Sequence, residues 1–319
     1  MFGSAGAPAR FFVQAGHDPY DGRAGSLRGN IVMQRALLNL AILGVPALAV
    51  SALATPGHAQ DAPPPPASGA GRPVDTVTVG VGVAMTTDYD GGRDYRIIPG
   101  GALRGTVRGH DFQLNGLQLF VDAIPNDSSR LIDVEFGPAA GVRLNRTGDV
   151  DDARVEALGE LDVAVELGAR GAVGVRRVFN RTDKLALAVT GVWDVAGAHR
   201  SHVITPALEY TTLAGRRMFL KLAVTTEFVG GDYADYYFGV SPAGAIAAGL
   251  PAHAPDGGFA SVGGSILGNY ALGDGRKGWS LFGIASYKRL QGDIADSPLV
   301  RDIGSPNQVF VSFGIGYTF

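Results

Sequence analysis

The densest run of side chains able to bind or react is Asp232-Tyr233-Ala234-Asp235-Tyr236-Tyr237-Phe238. Asp232 and Asp235 offer carboxylate oxygens to a hard cation such as calcium. That ion takes about six to eight oxygens, and two carboxylates without a regular loop spacing fall short. Tyr233, Tyr236 and Tyr237 offer flat faces on which the sugars of lipopolysaccharide or peptidoglycan could stack. The competing reading is packing. The tyrosines and Phe238 fold an insert onto a larger body, with Gly231 and Gly239 supplying turns. Packing is the stronger expectation, and no catalytic role is assigned to the run.

Other chemistry is thinner. His199 and His202 stand three apart, and with His110 and His253 they form a conceivable zinc set. Residues three apart on a strand point to opposite faces, so the pair chelates poorly. Ser201 and Ser265 lack the glycine pattern of a nucleophile elbow. Gly263-Gly264 and Gly273-Asp274-Gly275 lack the lysine and the strand-loop-helix setting of a phosphate loop. The 319 residues include no Cys, which removes disulfides, thiolate metal sites and Cys nucleophiles together. A formal net charge of −3 without a dense Lys/Arg stripe excludes a nucleic-acid partner. The expectation is no enzyme, no cofactor and no metal.

The elements that must carry these residues are strands. Val309, Val311, Phe313, Ile315, Tyr317 and Phe319 share one face of the last eleven residues, and Phe310, Ser312, Gly314, Gly316 and Thr318 share the other. The same alternation appears near 76–86, where Val77, Val79, Val81, Val83 and Met85 oppose small residues and threonines. It continues, weakened by Pro99, at 96–109, and then at 112–123, 131–145, 155–168, 171–179, 185–194, 203–212, 217–230, 259–272 and 279–290. Pro138 predicts a bulge or bend in its strand. Residues 231–258 and the stretch containing Pro298 and Pro306 read as non-repetitive loops.

About twelve strands, most long enough for a tilted crossing of a hydrocarbon layer, predict an all-β fold: a transmembrane antiparallel β-barrel. A closed barrel satisfies strand edges as hydrocarbon demands. Trp193, Tyr210, Tyr270, Trp279, Tyr317 and Phe319 suit interfacial girdles. Asp133, Glu135, Glu156, Glu160, Asp162, Glu166, Glu209 and Glu227 are then expected in the lumen, facing Arg143, Arg176, Lys184 and Lys221. They serve either as a charged conduction path or as a paired filling that holds the barrel together. The filling is the preferred reading.

Residues 1–32 carry no folding signal and read as an N-terminal extension, with Met33 the expected true start. Residues 33–59 read as a secretory signal peptide: Arg35, an apolar run from Leu37 to Val50, then small residues. Residues 60–73, with prolines at 63 to 66, read as an extended linker. The barrel is expected over 74–319.

Gly231-Asp232-Tyr233-Ala234-Asp235-Tyr236-Tyr237-Phe238-Gly239-Val240-Ser241, followed by Gly249-Leu250-Pro251 and Gly257-Gly258, resembles the MipA/OmpV family of outer-membrane proteins, the MltA-interacting proteins. Gly137-Pro138, Leu158-Gly159-Glu160-Leu161 and Phe282-Gly283-Ile284 through Tyr287-Lys288-Arg289-Leu290 carry the same likeness, which runs from about Val77 to Phe319. The resemblance implies a Gram-negative cell outer membrane. It implies membrane lipid and lipopolysaccharide as surroundings, and a barrel-assembly machinery that reads Tyr317 and Phe319 as its signal. It also implies a scaffold that organises a murein hydrolase and a peptidoglycan synthase. A small-solute channel and a surface adhesin are the alternatives, and no catalytic residue is carried over from the family.

Overall fold

The computed structural model describes residues 75–127, 129–273 and 277–319. The extension, signal and linker read at 1–32, 33–59 and 60–73 lie outside the described residues, as do Asp274 and Gly275 of the turn read at Gly273-Asp274-Gly275. Twelve strands form a closed antiparallel barrel in which sequence neighbours pair and the first strand meets the last. They are β1 (Thr76–Thr87), β2 (Tyr95–Val107), β3 (His110–Asn115), β4 (Gln118–Val121), β5 (Ile132–Arg143), β6 (Ala164–Arg176), β7 (Lys184–Asp194), β8 (His202–Ala214), β9 (Met218–Val229), β10 (Gly258–Ala271), β11 (Gly278–Leu290) and β12 (Asn307–Thr318).

The alternation read from sequence becomes the two faces of the wall. On β1 and β12 the outward Val81, Phe313 and Ile315 are exposed, while Gly80, Ala84, Ser312 and Gly316 turn inward and are buried. Val134 and Phe136 of β5 and Leu187 and Val189 of β7 continue the outer face. An exterior this apolar belongs in hydrocarbon, where only helices and closed barrels keep their backbone groups paired. No described helix is long and apolar enough to cross a membrane. The closing seam runs in register from Thr78↔Thr318 to Met85↔Val311, and the Thr78 and Thr318 hydroxyls meet at 2.8 Å.

Three sequence expectations change. Residues 112–123 are two short strands around a turn at 116–117. Residues 155–168 and 171–179 are not two strands: β6 runs through from Ala164 to Arg176, and the stretch before it holds α1 (Ala153–Glu156). Asp152 caps that helix, its side chain accepting from the Arg154 amide. Pro138 brings no register shift, and β5 pairs with β6 straight through it. The shift lies instead between Phe259 and Ser261 of β10.

The two ends differ. Connections at the end carrying both chain termini have ten residues or fewer: 108–109, 122–131, 177–183, 215–217 and 272–277. The opposite end carries 88–94, 144–163, 195–201, 230–257 and 291–306. The last two of these read as loops but fold into α2 (Gly231–Phe238), α3 (Pro242–Ala248), α4 (Gly292–Asp296) and α5 (Pro298–Arg301). Both α3 and α5 begin with Ser-Pro. Ser241 accepts from the Gly244 amide and Ser297 from the Leu299 amide, and the proline sits at the first turn, where no donor is needed. Gly249 ends α3 at φ 65°, a left-handed cap suited to glycine.

Candidate functional site

Three long loops, 144–163, 230–257 and 291–306, fold together with the shorter 88–94 and 195–201 over one mouth of the barrel. α2 presents Tyr233, Ala234, Tyr237 and Phe238 on one face, and all are buried. They pack with Val229, Leu290, Ile294 and Val300, while Tyr89, Val155, Val240, Leu250, Leu299 and Ile303 form an adjoining core. Polar bonds latch loop to loop. The Tyr89 hydroxyl donates to the Leu299 carbonyl at 2.9 Å, and Ser297 donates to the Phe238 carbonyl at 2.6 Å. The Asp162 amide donates to the Tyr236 hydroxyl at 2.8 Å, and the Asp90 amide to Asn145 Oδ1 at 2.9 Å. His253 Nε2 meets the Asp293 carbonyl at 2.9 Å.

The predicted aromatic run therefore divides. Tyr233, Tyr237 and Phe238 lie inside the cap, Tyr236 is half-buried, and Asp232 and Asp235 face outward. Burial pushes the Tyr233 and Tyr237 hydroxyls well above the ordinary phenol range. Under α2, Arg143 grips Glu166 with two bonds of 2.9 and 3.2 Å and lies 5.2 Å from the Tyr233 ring centre. His199 packs edge-on against Tyr233 at 5.1 Å and tilted against Tyr237 at 5.7 Å. Its Nε2 faces Glu166 at 3.2 Å and its Nδ1 accepts from the Ser201 amide at 3.2 Å. Both ring nitrogens are thus occupied, and neither is left for a hydroxyl nucleophile.

The four histidines of the conceivable zinc set have separate partners. His110 contacts the Asp122 carbonyl, His199 sits in the cap, His202 lies on the outer wall against Trp193, and His253 ties to Asp293. Among the described residues no group of three or more metal-binding side chains converges.

Below the cap the wall of β5–β9 carries a ladder of ion pairs. Asp133 meets Arg176 at 2.6 Å and Lys184 at 2.7 Å, and Lys184 also reaches Glu135. Arg170 joins Glu135 at 3.6 Å and Glu209 at 3.0 Å, and Lys221 meets Glu209 at 3.0 Å. Near the cap, Lys288 bridges Asp90 at 3.0 Å and Glu227 at 3.7 Å. Arg104 of β2 reaches from the other side of the barrel to lie 4.9 Å from the Phe219 ring centre of β9. Between these groups and the cap remains a cavity of about 390 Å³, lined by Thr86, Thr87, Asp90, Glu227, Lys288 and Phe310 among others.

Three expected lumen carboxylates are elsewhere. Glu156 is on α1, and Glu160 and Asp162 are in the following loop, all exposed. The helix that Asp152 starts takes them off the wall. Arg170, Asp90 and Lys288 were not foreseen in the lumen. Arg170 fell in the gap between two supposed strands, although its place two residues before Ala172 on an alternating run was the signal. At the aromatic rims, the Tyr317 ring lies 5.2 Å from Trp279 and 4.9 Å from Phe319, close to the chain end.

The fold resembles solved outer-membrane channels only loosely. An outer membrane channel from Pseudomonas putida shares 14% identity over 77% of this chain and 95% of its own, with a TM-score of 0.38. The outer membrane channel DcaP of Acinetobacter baumannii shares 10% identity over 77% and 96%, with a TM-score of 0.34. At such scores the likeness says nothing of what this chain does. No curated protein matches it. The match that carries weight spans the barrel from the fourth residue of β1 onward: over residues 79–319 the chain fits the MltA-interacting protein MipA, and it belongs to that family.

Proposed function

We propose that this protein is a non-catalytic scaffold in the outer membrane of a Gram-negative cell, holding murein-processing enzymes at the membrane's inner surface. The observation that carries the reading is the cap. A mouth packed with buried Tyr233, Tyr237, Phe238, Leu299 and Val300 argues against a wide axial path for solutes and makes the exposed ends the working surfaces. Membership of a family described by its interaction with MltA supplies the partner class, a murein hydrolase, with a peptidoglycan synthase beside it. The occupied nitrogens of His199 support the non-catalytic part of the reading.

Outer-membrane barrels turn long loops outward and short turns to the periplasm. On that arrangement the turn end faces the cell wall. It is basic on balance: Arg108, Arg130, Arg177, Arg181, Arg216, Arg217 and Lys277 are exposed, against exposed Asp75 and half-buried Asp127, which pairs with Arg130 at 3.0 Å, while Asp122 and Asp183 are buried. Phe179 stands 77% exposed among them. A basic rim around an exposed aromatic suits a partner with an acidic docking face, and charge steers such an encounter. The test is capture of purified murein hydrolase by the full barrel in detergent. Capture should weaken with added salt and fall sharply in a variant with Arg177→Glu, Arg181→Glu and Phe179→Ala. Equal capture by that variant and the parent would overturn the reading.

A further inference from the structure

One stretch of the wall is open. β2 pairs with β1 over its whole length, from Thr76↔Thr106 to Thr87↔Tyr95. On its other edge it pairs with β3 only from Leu103↔Leu114 to Val107↔His110. Tyr95–Ala102 therefore has no strand partner on that side among the described residues. Both faces of this stretch are open as a result: outward Ile97 is 75% exposed, and inward Ile98 is still 37% exposed. Other inward residues, such as Ala84 and Ser312, are buried.

The opening has a complete rim. Its floor is the β3–β4 turn at Gly116 and Leu117, where the Leu117 carbonyl accepts from the Val142 amide of β5. Its far side is the end of β5 and Leu144. Its top is closed by the Asp90–Asn145 bond and by the Asp151 amide donating to Asp88 at 3.2 Å. Three strand spacings from β2 to β5 make the base about 14 Å wide, and eight residues of free edge run about 27 Å along the strand. The gap lies at membrane depth, because the residues of β1 paired with this stretch include Val81, Val83 and Met85, all facing outward. Thr86 and Thr87, on β1 immediately beside it, line the 390 Å³ cavity under the cap.

We propose that this window is a lateral binding site for an acyl chain of a membrane lipid, giving the chain access from the bilayer to the lumen. A strand from a second protein is a poorer occupant. Pro99 in the middle of the free edge has no amide to offer a partner and is a common guard against edge pairing. Bulk water is poorer too, since the rim is apolar at Ile97, Ile98, Leu117 and Leu144. Its charges, Arg93, Asp94 and Arg96, gather at the top, and Arg96 is already turned to the Asp88 carbonyl. Lipid is what the bilayer places against such an opening.

The chain has no cysteine, so single-cysteine spin labels report each position cleanly. The full barrel is reconstituted in vesicles of phosphatidylethanolamine and phosphatidylglycerol. Relaxation is compared with oxygen, which concentrates in hydrocarbon, and with a water-soluble nickel chelate. Ile98→Cys should match outward Ile97→Cys in favouring oxygen, while Arg216→Cys, in the exposed turn between β8 and β9, should favour nickel. Gly100→Cys, whose new Cβ meets nothing closer than 3.9 Å, gives the same reading should Ile98→Cys fail to insert. Nickel-favouring relaxation at Ile98 and Gly100 would show a wet window. Loss of both signals would show a covering strand. Either result overturns the proposal.

Discussion

The buried Arg143–Glu166–His199 group shows what single residues contribute to this molecule. Glu166 is almost wholly buried and answers two partners at once, so removing it strands a guanidinium beneath the aromatic cap. Breaking a pair of this kind costs about 3 kcal/mol. Glu166→Ala should therefore lower the urea midpoint of the folded barrel in detergent, whereas loss of the exposed Arg154 should leave it unchanged. Asp183 acts at the other end. Desolvation works to raise its carboxyl, but the amides of Phe179, Asn180 and Val178 and the Tyr210 hydroxyl outweigh that and hold it below the usual carboxylate range. A depressed pKa gives stability that is present above the unfolded value of about 4 and is lost as pH falls through the folded one. Protection of the 177–183 turn amides, taken relative to their intrinsic exchange rate at each pH, should fall on acidification below that point, and Asp183→Asn should flatten the response. The sequence supplied most of these residues and little of their pairing. Asp133, Glu135, Glu209, Arg143 and Lys221 follow from alternation alone. His199 looked like a candidate ligand because nothing local reveals that α2, more than thirty residues on, closes over it.

At the scale of elements, the strand count of twelve was legible but its bookkeeping was not. One expected strand splits at 116–117 and two expected strands merge across Arg170, so the total survives two opposite errors. The helices were missed because short capped turns carry little periodicity, yet Ser241-Pro242, Ser297-Pro298 and Asp152 are readable caps. The closing seam depends on glycine. A Cβ at Gly82 would fall 2.3 Å from the Phe313 carbonyl oxygen, while one at Gly101 meets nothing nearer than 3.9 Å. Gly82→Ala should reduce the heat-modifiable, folded fraction on a gel, and Gly101→Ala should not. The chain end completes the same seam, with the Phe319 amide donating to the Val77 carbonyl at 2.9 Å. Deleting Tyr317 to Phe319 should lower membrane insertion sharply compared with deleting Pro63 to Pro66. Equal yields would contradict that ranking.

For the molecule as a whole, three features act together. The loops of one end pack over one mouth, the β5–β9 ladder lines the lumen with paired charge, and Arg104 crosses to Phe219 near the turn end. Sequence alone left conduction and filling as competing readings of the same charges. The cap favours filling, and it depends on contacts between loops far apart in the chain, which no local pattern discloses. Recording from the purified barrel in a planar bilayer tests this most directly. The account predicts no discrete conductance steps from the parent protein. Stable steps that change when Glu209→Gln or Lys221→Gln is introduced would contradict it and make the lumen a working path.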